Sequence, residues 1–217
     1  MRVFSRFITA LFAASLILPA ALAAPVMAAA ATHLAFSTQP TASTGGVPFG
    51  TQPVVQLQDV TNAVDTSATG AVTLTITGAP VGVVLTCTAP LNTVNAVAGV
   101  ATFAGCSIDK LGSYTLTASA SGLTNAVSTT VVITTGPADH VSFTAGPDAE
   151  VVTGGVPYTT QPVVEIRDAG VNRVTTSTAA VTLGIAPFAN PTGTTLGGVL
   201  TVNAVAGIAT FSGINID

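Results

Sequence analysis

The stretch TGGVPFGTQPVV, Thr44 to Val55, returns as TGGVPYTTQPVV, Thr153 to Val164, 109 positions later. A chain that repeats itself at a fixed interval is constrained before any single residue is weighed, because each copy must fold into the same kind of unit. Further blocks recur. QPVVQLQD (Gln52 to Asp59) becomes QPVVEIRD (Gln161 to Asp168), and VNAVAGVATFAG (Val94 to Gly105) becomes VNAVAGIATFSG (Val202 to Gly213). THLAF (Thr32 to Phe36) pairs with DHVSF (Asp139 to Phe143). The offset drifts between 107 and 109 from block to block, as expected when connecting loops gain or lose a residue. Solenoid repeats run to about 20–45 residues. A unit near 108 residues has instead the size of an independent domain.

Within a unit the hydrophobic period is two. AVTLTIT sets Val72, Leu74 and Ile76 on one face and Thr73, Thr75 and Thr77 on the other. SYTLTASAS does the same with Tyr114, Leu116 and Ala118, and VVQLQD alternates Val55 and Leu57 with Gln56 and Gln58. Such alternation marks strands with one buried and one wet face. Gly45-Gly46, Thr69-Gly70, Gly78-Ala79-Pro80, Ala98-Gly99 and Gly122 punctuate the runs, as turn residues do. No stretch after the N-terminal leader has the 3.6-residue period of an amphipathic helix. About seven short strands per unit predict an all-β, antiparallel sandwich. Pro48 and Pro53 each lack a backbone donor and belong at strand margins. Asp59 and Asp168 close their strands, where a short carboxylate can accept from nearby turn amides.

Phe36, the Gly45-Gly46 turn, QPVV leading to Asp59, and ATFAGCSIDKLGSYTLTASASG resemble bacterial immunoglobulin-like repeats. The resemblance covers nearly all of residues 32–217. It implies tandem immunoglobulin-like β-sandwiches, such as those strung along exported surface proteins and adhesin stalks. It also implies that Tyr114 forms a tyrosine corner, a hydroxyl-to-backbone clamp. The division expected is a leader over 1–31, a first sandwich over 32–135, a linker over 136–138 that contains Pro137, and a second sandwich over 139–217.

The second copy reads as C-terminally incomplete. After Asp109 the first copy continues with KLGSYTLTASASGLTNAVSTTVVIT, predicted to hold strands over Ser113–Ala120 and Asn125–Thr134. Their alternating apolar residues include Tyr114, Leu116, Ala118, Val127, Val131 and Ile133. The second copy reaches Asp217, the match of Asp109, without them. The expectation is a fragment of a longer repeat protein whose second sandwich has a raw edge. The alternative is that another chain supplies the missing strands.

MRVFSRFITALFAASLILPAALAAPVMAAAA opens with Arg2 and Arg6, continues through an uncharged apolar run and exits through small residues. This is the pattern of a secretory signal peptide, against the alternative of an uncleaved anchor. It predicts a secreted or cell-surface protein. Five Lys and Arg face nine Asp and Glu, and no basic stripe exists for nucleic acid. With 48% hydrophobic and 6% charged residues, disorder driven by charge is excluded.

Candidate chemistry is sparse. Cys87 and Cys106 are the only cysteines. Export favours a Cys87–Cys106 disulfide. The alignment agrees, because Cys106 matches Ile214 and Cys87 falls near Thr195, so both cysteines are missing from the second copy. Two free, buried thiols are the alternative. His33 and His140 open matching strands a whole unit apart, poor geometry for a metal or an oriented base. Asp139, Asp148 and Glu150 could meet near the junction as a weak calcium site, although calcium wants six to eight oxygens; turn capping is the commoner role for such residues. No G-x-S-x-G elbow or phosphate loop is present.

The reading is therefore of a non-enzymatic stalk or adhesion segment without cofactor, metal or catalytic residues. Its partners would be neighbouring repeats of the same longer chain, beside a surface ligand of unknown kind. The alternatives are an accessory module of a secreted enzyme and a ligand-binding immunoglobulin-like module. Lacking Trp, and with Tyr114 and Tyr158 its only tyrosines, the chain offers little aromatic platform for a carbohydrate.

Overall fold

The structure is a computed structural model that describes residues 29–88, 91–146, 153–186 and 193–217. The described residues form strands and turns without a helix. The protein is all-β, built of several small sheets. The leader expected over 1–31 lies outside the described residues except for Ala29, Ala30 and Ala31. Of these, Ala31 packs against the first core and its amide donates to Asp65 Oδ2 at 3.0 Å.

The strands that carry the recurring sequence blocks pair alike in both copies. In the first copy His33–Thr38 pairs with Val54–Gln58, which pairs on its other side with Val100–Thr102. In the second, His140–Ala145 pairs with Val163–Arg167, and that strand with Ile208–Thr210. Both copies break register at the same place, between Phe36 and Thr38 and between Phe143 and Ala145. Pro53 and Pro162 sit immediately before the central strands, and each carbonyl accepts an amide, from Phe103 and Phe211. A residue without an N–H is placed where only its acceptor is needed.

Two separate apolar cores follow. The first gathers Val55, Leu57, Val72, Leu74, Phe103, Leu116, Val131 and Ile133, among others. The second gathers Val164, Ile166, Val174, Val181, Ala204, Ala209, Phe211 and Ile214. No core residue of one cluster belongs to the other. Strand pairing also stays within each repeat among the described residues.

Residues 112–134 close the first unit. Leu116–Ser119 pairs with Ala71–Ile76, and Val131–Thr134 pairs with Gly112–Tyr114 and, in parallel, with Ser43–Thr44. The two long strands expected here are each interrupted. Thr115 separates Gly112–Tyr114 from Leu116–Ser119, and residues 128–130 separate Ala126–Val127 from Val131–Thr134. The interruption lets Gly112–Tyr114 join one sheet while Leu116–Ser119 joins another. The Ser128 hydroxyl fills the gap, accepting from Leu116 N at 2.8 Å and donating to Thr129 O at 2.7 Å. Val127, one of the alternating apolar residues, is 57% exposed rather than in the core, because it lies on the short edge strand beside that gap. Ile76 is half-buried rather than buried, since it ends its strand.

Candidate functional site

The most organised polar cluster joins the two units. It is built on the turn after Val163–Arg167. Asp168 is fully buried. Its Oδ1 accepts from Gly170 N at 3.0 Å and Asn172 N at 2.9 Å, which folds the turn back on itself. The sequence predicts this much from a short carboxylate at a strand end. The other carboxylate oxygen does something further: Oδ2 accepts from Gly136 N at 3.0 Å, fixing the start of the connecting segment. Gly136 is therefore buried and bonded rather than a free linker residue.

The turn then seats on the end of the first unit. Asn172 Nδ2 donates to Asp109 O at 2.7 Å, and Lys110 Nζ donates to Gly170 O at 3.0 Å. Lys110 lies 3.5 Å from Asp109 Oδ2, which holds the ammonium beside the contact. The approach is close enough to demand glycine on both sides. A side chain at Gly45 would strike the Asn172 amide and come within 2.9 Å of Asp109 O. One at Gly170 would collide with Asp109 O and lie 2.7 Å from the Gly45 carbonyl carbon. Part of the TGG motif that opens each repeat is thus explained in the first copy by what packs on it.

The sequence reading missed Gly45, Lys110, Gly170 and Asn172 as a group. A signal was present. The two copies share the turn geometry, with Asp59 Oδ1 accepting from Thr61 N and Ala63 N as Asp168 does from Gly170 N and Asn172 N. Yet Thr61 and Ala63 in the first copy are replaced by Gly170 and Asn172 in the second. Those two replacements remove a clash and add a donor.

Cys87 and Cys106 are joined in a disulfide, their Cα atoms 3.8 Å apart. Strand pairing places the counterpart of Cys87 three positions beyond Thr195. Strand pairing matches Leu85–Thr86 to Leu196–Gly197, each against the strand carrying Ile108 or Ile216. This register sets Cys87 against Gly198 rather than near Thr195. Cys106 matches Ile214, as expected: in each case the backbone amide donates to a glutamine side-chain oxygen, Gln52 Oε1 at 2.7 Å and Gln161 Oε1 at 2.8 Å.

Tyr114 makes the expected clamp, its hydroxyl donating to Leu111 O at 2.9 Å. Burial, and secondarily the Asp109 charge, raise its pKa above the ordinary 10.0. Asp59 and Asp65 serve turns. The Thr61 hydroxyl, then the Thr61 amide, hold Asp59 below the usual 3.8. The Ser67 hydroxyl, then the Ala31 amide, do the same for Asp65. His33 Nε2 lies 3.1 Å from Asn62 Oδ1, and His140 Nδ1 lies 3.0 Å from Asp139 Oδ2. Among the described residues neither histidine is hydrogen-bonded to a serine. Asp148 and Glu150 of the considered calcium site lie outside the described residues. Among the described residues no three His, Cys, Asp or Glu side chains converge as metal ligands.

Comparison with protein-family models gives no match, and comparison with curated proteins gives none either.

Proposed function

We propose that the chain is a non-enzymatic structural and adhesion segment of an exported bacterial repeat protein. In this reading immunoglobulin-like units are set end to end as a stalk or spacer at the cell surface, and their partners are neighbouring units of the same kind. The observation that carries it is the clamp between the units. A flexible tether would leave the two ends unbonded, whereas Asn172, Lys110 and Gly136 tie the second unit to the first through three hydrogen bonds of 2.7–3.0 Å. A spacer needs a fixed angle between successive units, because reach along the stalk is lost when each joint bends freely. Short connections and interfaces of modest size otherwise leave domains free to move.

Small-angle scattering and NMR relaxation on residues 29–217 test this. The two units should tumble with one correlation time and one overall length. Asn172→Ala combined with Lys110→Ala removes both side-chain bonds and should separate their correlation times without unfolding either unit. Independent tumbling in the unaltered protein would overturn the spacer reading.

A further inference from the structure

The face that residues 112–134 close in the first unit is open in the second. Phe143, Tyr158, Leu183, Leu196 and Ile216 line an apolar groove of about 190 Å³ there, with no charged residue among its described lining. Three of their first-unit counterparts, Phe49, Leu74 and Ile108, are 3%, 1% and 0% exposed. Phe143 is 61% exposed and the neighbouring Val141 55%. A contiguous apolar patch of this kind on a folded unit marks an interaction surface.

The backbone gives a second, independent observation. Along Ala71–Ile76, Leu74 N donates to Asn92 O on one side, and just beyond the strand Thr77 N donates to Thr115 O on the other. Alternation then directs the amides of Thr73 and Thr75 toward Leu116–Ser119. In the second unit Leu183 N donates to Leu200 O in the same manner. The amides of Thr182 and Gly184 therefore face the open side. There, among the described residues, nothing pairs with Ala180–Thr182 beyond its single partner Thr201–Asn203. The apolar groove thus runs beside an unpaired strand edge, the arrangement used for strand addition.

We propose that this face is a strand-acceptor groove whose occupant is an extended polypeptide segment with the chemistry of Gly112–Thr134. Its alternating residues correspond to Tyr114, Leu116 and Ala118, followed by a strand like Val131–Ile133. The first unit supplies the template. There Leu116 lies opposite Ile76 and Ala118 opposite Leu74. Transferred by the repeat, a leucine meets Ile185 and a small residue meets Leu183. Main-chain bonds to Thr182 and Gly184 provide the attachment, and the groove's apolar lining selects the side chains. The inference stands apart from the spacer reading, since none of Gly45, Asp109, Gly136, Asp168, Gly170 and Asn172 is among the groove's described lining.

The test titrates a synthetic peptide of residues 110–134 into the full chain and follows amide hydrogen exchange at Thr182 and Gly184. The Thr75 amide of the closed first unit serves as the internal control. One peptide should bind per chain, slowing exchange at both amides by roughly tenfold or more while leaving Thr75 unchanged. A peptide carrying Leu116→Asp and Val131→Asp should do nothing. If the peptide is insoluble, the same segment joined after Asp217 by a flexible linker gives the same readout. Three results overturn the proposal. They are unchanged exchange in both formats, equal protection by the aspartate peptide, and protection that grows with chain concentration without peptide. The last would make a second copy the occupant.

Discussion

Val55, Leu57, Ala101 and Phe103 in the first unit are as buried as Val164, Ile166, Ala209 and Phe211 in the second. Half of each core is therefore equivalent, the half formed where the central strand meets the strand that follows the VNAVAG block. The other half differs. Leu34 is 4% exposed and its counterpart Val141 55% exposed; Leu74 is 1% exposed, whereas Leu183 is only partly buried. Leu34 owes its burial in part to the returning chain, since its amide donates to Thr124 O and Thr124 N donates to Thr32 O. Near-identical sequence thus gives near-identical pairing, but burial depends on what lies across the core. A strand carries its pattern of alternation by itself and acquires the free energy of burial only from a partner layer.

The largest effect that can break this comparison is a matched pair of core truncations. Leu74→Ala should destabilise the first unit by about 2–5 kcal/mol, the range for deleting a buried leucine. Leu183→Ala, at the same place in the second unit, should cost well under half as much, because solvent already reaches the side chain and little cavity is created. Denaturant titrations monitored by unit-specific NMR signals separate the two. Equal losses would mean that the second core is closed in solution. Filling the groove with the segment of residues 110–134 should raise the cost of Leu183→Ala toward that of Leu74→Ala, which sharpens the same contrast.

A smaller difference is covalent. The first unit carries the Cys87–Cys106 bridge across a separation of 19 residues, where the second has Gly198 and Ile214. Crosslinking a loop of that length stabilises by about 3 kcal/mol through its effect on the unfolded chain. Replacing both cysteines by alanine should lower the unfolding midpoint of the first unit by that order and leave the second unchanged. A shift in both midpoints would show that the clamp at Asp109 and Asn172 couples their stabilities.

What the sequence displayed and what it hid divide along physical lines. Period-two alternation made the central strands legible, and the repeat made their pairing legible twice over. Tyr114 and Asp59 were legible because each acts within a few residues of itself, on Leu111 O and on Thr61 and Ala63. The exposure of Val127 was hidden, since alternation says which residues share a face but not whether another layer covers it. The match of Cys87 with Gly198 was hidden by a loop whose length differs between copies. The clamp was hidden because it joins residues 63 positions apart, Asp109 and Asn172, through a carbonyl that any residue would offer.

The smallest expected effect concerns acid, and it again sets one unit against the other. Asp65 accepts from the Ser67 hydroxyl at 2.6 Å, from Ser67 N at 3.0 Å and from Ala31 N at 3.0 Å. The second unit has Val174 at the matching place, buried and uncharged. These donors favour the carboxylate, with the Ser67 hydroxyl the largest influence, so the folded pKa of Asp65 lies below its ordinary 3.8. The unfolded chain then takes up a proton first as the pH drops. Stability from this group is fully present above about pH 4–5 and is lost as the pH falls through the depressed folded value. Asp65→Asn should therefore lower the unfolding midpoint of the first unit modestly at neutral pH. It should also flatten the decline between about pH 4 and pH 2, without removing it, because Asp59 is held down in the same way by Thr61. The second unit's own limb in that range should be untouched by the substitution. A first unit whose acid limb is as steep in Asp65→Asn as in the unaltered chain would mean that the Ala31 and Ser67 bonds are not kept in solution. The seam that ties the start of the fold to the Asp65 turn would then be open.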